Sequence, residues 1–445
     1  MNRINFKSIK VAFVLLAILS GSLANAQTVT LTLKDALNYA IQNNATVRKA
    51  KLDIDKGRYK VDEVRSQALP QITGTGNLTY NPVIGQLVVG DQIFQMGREW
   101  NSSAGVQLNQ QVFNQQVFTG LKAARASEDY YNLSANLSEE QIIEQVSAAY
   151  YQVLVNRRQL AVIETNIKNA QKTESIIATQ YKNGLAKKID LDRVKVNISN
   201  LNTQREQLAN AITQQENTLK FNIGMPVENK IVIPEIELST ISTVAQLQDS
   251  INLAGRTEYK LIKTQENLLD LQKKAYKAEY YPSLALTGNF TSTGQSNEFD
   301  LFRSRGGTAV WYDASSIGLT LRIPIFNGNA TRSRVRQAEV DIQKNKEDIR
   351  NTAQTLNLEY ENAKLQIRNS LNTINSQNDN VRLAQEIYNS TQNNYNNGLA
   401  TLTDLLDSEN ALTSAQSNYS QALLNYKVAE IQLIKSNGNI KSLLN

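Results

Sequence analysis

Tyr181–Asp190 reads YKNGLAKKID, and Tyr395–Asp404 reads YNNGLATLTD. The same phrase occurs twice, just over two hundred residues apart. Each copy holds a glycine between two blocks that contain neither glycine nor proline. The blocks are 121–183 and 185–223, then 329–397 and 399–437. Proline breaks a helix interior and glycine weakens it, so these four blocks are the natural places for uninterrupted helices. Gly184 and Gly398 separate the members of each pair, and Gly224 and Gly438 close them. Glycine just past a helix end is the expected stop signal.

Working outward from the tips, the apolar spacing supports the same division. Leu191, Val194, Ile198, Leu201, Arg205, Leu208, Ile212, Gln215 and Leu219 alternate steps of three and four. Leu405, Ser408, Leu412, Ala415, Tyr419, Ala422, Tyr426, Ala429 and Leu433 match them position for position. A sustained seven-residue repeat predicts left-handed coiled-coil packing. At 1.5 Å per residue the longer blocks extend on the order of 100 Å.

The pattern changes ahead of each long block. LPQITGTGNLTY from Leu69 pairs with YPSLALTGNFTS from Tyr281, and SSAGVQLNQQVFN from Ser102 with SSIGLTLRIPIFN from Ser315. Ile317, Leu319, Leu321, Ile323 and Ile325 alternate with Gly, Thr, Arg and Pro, a period of two with one apolar face. The spacing predicts strands over 70–80 and 102–113, and over 282–292 and 315–326, with 81–101 and 294–314 as loops. Strands of about ten residues suit a tilted membrane strand. Trp100 and Trp311, the chain's two tryptophans, fall just before the second strand of each half, and tryptophan favours membrane interfaces. A soluble β-sandwich fragment is the competing reading, since four strands cannot close a barrel.

A further helix pair precedes each set of strands, from Leu31 to Pro70 and from Val244 to Pro282, broken at NNATV and GRTEY. The long helices are expected over 115–183, 187–223, 329–397 and 401–437. The first repeat thus spans 27–224 and the second 244–445, with 225–243 as linker. Residues 1–26 read as a signal peptide: Arg3, Lys7 and Lys10, an apolar run from Val11, then Ala24-Asn25-Ala26.

Composition narrows the chemistry. The chain has no cysteine and no histidine. That removes the usual disulfides, the commonest general base and the commonest metal ligand. The formal charge of +6 includes the three positives of the leader, and no basic block suits nucleic acid. No catalytic residue, metal site or cofactor is expected, and the chain does not read as an enzyme. Asp404 and Asp407 are the nearest thing to a carboxylate pair, without pocket chemistry around them.

A duplicated helix–strand–strand–helix unit behind a signal peptide resembles the TolC-like outer membrane channel family. The resemblance spans essentially the whole chain after the leader. The two tip segments, RIPIFNGNATRSRV from Arg322, and the strand starts PQITGTGN and PSLALTGN carry it. It implies a mainly α protein with a β-barrel part. Three chains of a homotrimer pool four strands each into a twelve-stranded transmembrane barrel, and their coiled-coil hairpins form an α-barrel across the periplasm. Such a channel works in efflux transport, with outer membrane lipid around it, a periplasmic adaptor (membrane fusion) protein, and an inner-membrane RND or ABC transporter. An outer membrane duct for type I protein secretion, and a non-channel periplasmic coiled-coil scaffold, are the alternatives.

The resemblance also assigns the tips. It makes Asp404 and Asp407 the lining of a periplasmic gate or pore constriction, and Asp190 part of the ion-pair network there. The plain alternative is that acids in a helix's first turn favour its dipole. Where the family has an arginine near the second tip, this chain has Ala400. Lys187 and Lys188 stand beside Asp190, either as substitute partners in tip ion pairs or as solvated lysines. Gly184, Leu185, Gly398 and Leu399 form the tip turns, and the resemblance makes them the adaptor's docking ends. They equally suit a helix stop and nothing more.

Overall fold

The computed structural model describes residues 29–234, 251–302 and 307–444. The signal-peptide reading of 1–26 and part of the linker lie outside these residues. The elements in chain order are β1 (Val29–Thr30), α1 (Leu33–Asn43), α2 (Ala45–Ser66), β2 (Gln71–Tyr80), β3 (Gln86–Val89), β4 (Gln92–Gln95) and β5 (Trp100–Phe113). Then follow α3 (Gln115–Lys182), α4 (Lys188–Ile223), β6 (Ile231–Val232), a 3-10 turn at Leu253–Gly255 and α5 (Thr257–Ala278). The chain continues with β7 (Ser283–Ser296), β8 (Val310–Arg322), α6 (Ala330–Asn396), α7 (Leu402–Ser436) and a 3-10 turn at Ile440–Leu444.

The four long helices agree to within a residue with the expected ranges 115–183, 187–223, 329–397 and 401–437. Three expectations need correction. The 81–101 segment is not all loop, because β3 and β4 form a hairpin there with Gly90 at φ 63° in the turn. β7 runs on to Ser296, into the 294–314 segment expected as loop, and β8 starts earlier and stops sooner than 315–326. Trp311 therefore lies inside the strand, and pairing ends at Arg322 because Pro324 has no N–H to give the ladder. The expected short helix from Val244 falls mostly outside the described residues. What is described of it is the 3-10 turn.

The chain divides into two compact units, and the boundary falls within α2, α3 and α6. One unit holds 29–49, 137–256 and 355–444 as far as they are described. Its core joins Leu37 and Ala40 of α1, Val146 and Tyr150 of α3, Leu219 and Ile223 of α4, Tyr360 and Ile367 of α6, and Leu423 and Tyr426 of α7. Along α4 the residues Val194, Leu201, Ile212 and Leu219 are all buried, so the heptad seam is real. β1 pairs in parallel with β6, and the Tyr150 hydroxyl donates to the Leu31 carbonyl at 3.1 Å. Gly224 ends α4 at φ 78°, where any Cβ would stand 2.5 Å from the Asn43 carbonyl oxygen. The stop is therefore a glycine for two reasons, backbone conformation and space.

The other unit holds 50–136 and 257–354. Its centre is a four-stranded antiparallel sheet in the order β2-β5-β7-β8. At its foot Arg334 and Thr331 of α6 both donate to the Glu279 carboxylate, at 2.5 and 2.7 Å.

Candidate functional site

Register fixes the two faces of the sheet. Leu108 lies between Ile72 and Gly288, and Val106 between Gly74 and Phe290. Leu286 pairs with Leu319 and Leu284 with Leu321. Cross-strand partners share a face, so these residues form one apolar surface. The alternate residues are polar: Thr73, Gln107, Asn289 and Ser316 stand in one row across the four strands. A soluble sheet hides its apolar face. Here Ile72 is 70% exposed, Ile317 77% and Leu319 66%. The same face also carries Ser102, Gln110, Ser292, Asp313 and Ser315.

Both tryptophans sit on the apolar face at the same end of the sheet. Trp100 pairs with Tyr80, their rings 4.5 Å apart, and lies 4.7 Å from Phe299. Trp311 pairs with Gly294, and its indole N–H donates to the Leu301 carbonyl at 3.2 Å. At the opposite end Tyr280, Tyr281, Phe113 and Phe326 are exposed. An apolar band flanked by aromatic residues at both ends is the surface of a membrane strand in contact with lipid. Among the described residues β2 and β8 pair on one side only, which leaves two open edges. No described helix is long and apolar enough to cross a membrane, and that says nothing of the strands.

At the helical end the two tips have one geometry. Gly184 and Gly398 both stand at φ 73°. Leu185 N–H reaches the Gln180 carbonyl at 2.8 Å and Gly184 N–H the Tyr181 carbonyl at 3.0 Å. Leu399 and Gly398 repeat both bonds, to Asn394 and Tyr395, at the same distances. This pair of bonds satisfies the last carbonyls of a helix and needs a left-handed residue. Leu185 and Leu399 are each 79% exposed at the turn.

The returning helices start differently. Thr401 caps α7: its hydroxyl accepts from Asp404 N–H at 3.2 Å, and the Asp404 carboxylate accepts from Thr401 N–H at 2.9 Å and its hydroxyl at 2.7 Å. Those bonds hold the Asp404 carboxyl below the usual carboxylate range. At the first tip Lys187 occupies the capping place and provides no side-chain cap. Asp190 is half-buried, while Asp407, Lys187 and Lys188 are exposed. Among the described residues neither lysine forms an ion pair, with Asp190 or any other acid.

The structure brings in residues the sequence did not single out. Burial, then the Asp190 charge, pushes the Tyr395 phenol up, and Tyr395 packs in one cluster with Leu191, the residue after Asp190. Arg193 of α4 donates to the Thr403 hydroxyl of α7 at 2.9 Å. Ile177, Val194 and Leu402 form a small buried cluster with Leu191, Tyr395 and Leu406 around it, so four helix ends pack together. Glu409, two residues past Asp407, is buried. Arg193 and Glu409 lie off the glycine-marked turns. Tyr395 was visible as the first letter of the repeated phrase.

No group of three potential metal-ligating side chains occurs among the described residues. A sheet with one lipid-type face and one polar face, joined in one chain to duplicated helical hairpins, defines an outer membrane transport protein rather than an enzyme. The comparison with known proteins makes this specific. A family model for outer membrane efflux protein matches residues 36–225 and again 265–439, and the chain belongs to that family. It is 23% identical over 419 residues to outer membrane protein TolC of Escherichia coli (strain K12), covering 89% of this chain and 80% of that one. It is 22% identical over 313 residues to the probable outer membrane lipoprotein SilC of Salmonella typhimurium, covering 68% of this chain and 63% of SilC. The crystal structures of CusC share the fold, with a TM-score of 0.74 and 18% identity over 94% of this chain and 95% of CusC.

Proposed function

We propose that the protein is the outer membrane exit duct of a tripartite efflux pump, formed by three copies of the chain. The observation that carries this reading is the sheet: an exposed apolar face, a polar face and two unpaired edges. Open strand edges are not tolerated in lipid, and four strands are too few to close. Pairing β8 of one copy with β2 of the next removes every edge. The polar rows then line the lumen, and the hairpins of α3–α4 and α6–α7 extend the duct into the periplasm.

In this reading the tips form the inner end of the duct. Threefold symmetry gathers copies of Asp404, Asp407 and Asp190 around the constriction, where like charges favour cations. The exposed pair Leu185 and Leu399, set by Gly184 and Gly398, offers an adaptor two matching apolar contacts. An inner-membrane RND or ABC transporter feeds the adaptor. Relatives named as cation, antibiotic and toluene efflux proteins favour small cargo over the polypeptides of type I secretion. The periplasmic scaffold reading leaves the apolar sheet face without a purpose.

Single-channel conductance in planar bilayers tests the reading, comparing wild type with Asp404→Ala/Asp407→Ala. Small cation-selective steps that grow and lose selectivity in the double variant support both duct and constriction. Folded, trimeric protein that conducts nothing rejects the duct.

A further inference from the structure

Glu409 is placed where a charged carboxylate is not stable. It is 6% exposed. Its Oε1 is buried and has no hydrogen-bond partner. Its Oε2 is approached by Asn197 Nδ2 of α4 at 3.5 Å, the outer limit of a hydrogen bond. An ionised carboxylate has about four lone-pair positions to satisfy, and here it has lost its water for one marginal contact.

The neighbours offer no compensating charge. From α6 the titratable group facing it is Tyr388, itself buried and raised first by its burial and then by Glu409. From α4 the facing group is Asn197, which does not titrate, and Arg193 one turn away is engaged with Thr403. From α3 the nearest contact to this part of α7 is Asn166, bonded to Thr413 at 2.8 Å. On α7 itself Asp407 is exposed and Leu405 and Leu412 are buried. Burial alone moves Glu409, and it pushes the carboxyl up to about 7.

The packing around Glu409 is of a kind that can part. Beside the apolar contacts of Leu402, Leu405 and Leu412, the polar ties of α7 to its neighbours here are single bonds: Arg193–Thr403, Asn166–Thr413 and, further on, Gln159–Ser417 at 2.7 Å. Such bonds exchange with water at small net cost. A polar groove of about 780 Å³, lined by Asn197, Asn200, Gln204, Asn410 and Ser414, runs along the same stretch of α4 and α7. Water therefore has a way to Glu409 once the helices separate.

We propose that Glu409 is a proton-binding site that sets the state of the tip. With the proton bound, α7 stays packed on α4 and α6 and holds Asp404 and Asp407 in place. Proton loss to water leaves a carboxylate that must become hydrated, and α7 moves outward to hydrate it. Because the same helix carries both aspartates, the constriction loosens as the pH rises. The proposal rests on the reading of the tips as the inner end of a duct.

The test uses the full-length protein at about pH 5.5 and about pH 8.5. Amide exchange over residues 402–412, corrected for intrinsic rates, is followed beside single-channel open time. Wild type is expected to exchange about tenfold faster at the higher pH and to stay open longer. Glu409→Gln and Glu409→Leu are expected to keep the slow, low-pH behaviour at both. Asp404→Asn/Asp407→Asn is expected to lose cation selectivity and keep the pH response of exchange. A wild type without the pH response, or a Glu409→Gln variant that retains it, overturns the proposal. A pH response of exchange in protein that conducts nothing supports the site and rejects the duct instead.

Discussion

Thr401 and Asp404 satisfy each other across the first turn of α7, and Lys187 and Asp190, in the same two places at the first tip, do not. The duplication kept the acid in both copies and the capping hydroxyl in one. The Asp404 carboxylate closes the cap, and in the proposed duct it is also available to the constriction. Its free oxygen and its exposure keep the second role open.

Lys187→Thr should supply the missing cap to Asp190 and stabilise the start of α4 by about 1 kcal/mol, while Thr401→Ala should cost α7 a similar amount. Amide exchange of residues 188–191 and 402–405 reads the two changes separately. No protection gained in Lys187→Thr would show that a threonine in this place does not cap α4.

Gly184→Ala and Gly398→Ala should be equally destabilising, by about 1 kcal/mol each, because a Cβ at either place meets no other atom and only the left-handed backbone resists it. Urea unfolding measures this. Unequal values would mean that the two tips are loaded differently in the assembly.

Val106 and Gln107 are adjacent on β5 and face opposite ways. Val106→Lys sets a charge on the lipid face and should cost about 2–4 kcal/mol near the bilayer centre. The membrane-inserted form should fall sharply. Gln107→Lys should assemble normally and shift ion selectivity toward anions. If both variants assemble alike, the apolar face does not contact lipid.

Stability should depend on pH through Glu409. The folded state holds this proton up to about 7, whereas the unfolded chain releases it near the ordinary value of 4.5. The folded state therefore binds more protons between these values, and stability falls as pH rises across that window. It is full below 4.5 and flat above 7, with a total loss of about 3 kcal/mol. Melting temperature against pH should show this slope in wild type and a flatter curve in Glu409→Gln.

The sequence revealed the architecture through punctuation and period. Gly184, Gly224, Gly398 and Gly438 mark helix ends, and each is left-handed in the structure. Ile317, Leu319 and Leu321 marked the lipid face because a sheet alternates with a period that nothing else imitates. The β3–β4 hairpin was hidden because QLVVGDQIFQ is apolar on both faces and shows no alternation. Glu409 was hidden for another reason. The heptad places Leu405, Ser408 and Leu412 on the seam, and Glu409 flanks it. Whether a flanking position is wet depends on how many helices surround α7. Buried residues recur on α7 as runs, such as Ala422, Leu423 and Leu424, and only a helix enclosed on several sides has these. Tyr395 and Leu191 join one cluster across two hairpins, a distance no local pattern encodes.

The unpaired edges of β2 and β8 have a genetic consequence. In the proposed trimer each chain finishes its sheet with a neighbour's strand, so one defective chain spoils the ring it joins. If an edge-broken variant is expressed equally with wild type, random assembly in threes leaves about one complex in eight free of the defect. Lesions in β2 or β8 should therefore act as dominant inhibitors of transport. Lesions that stop a chain from folding at all should be recessive, because that chain never joins a ring.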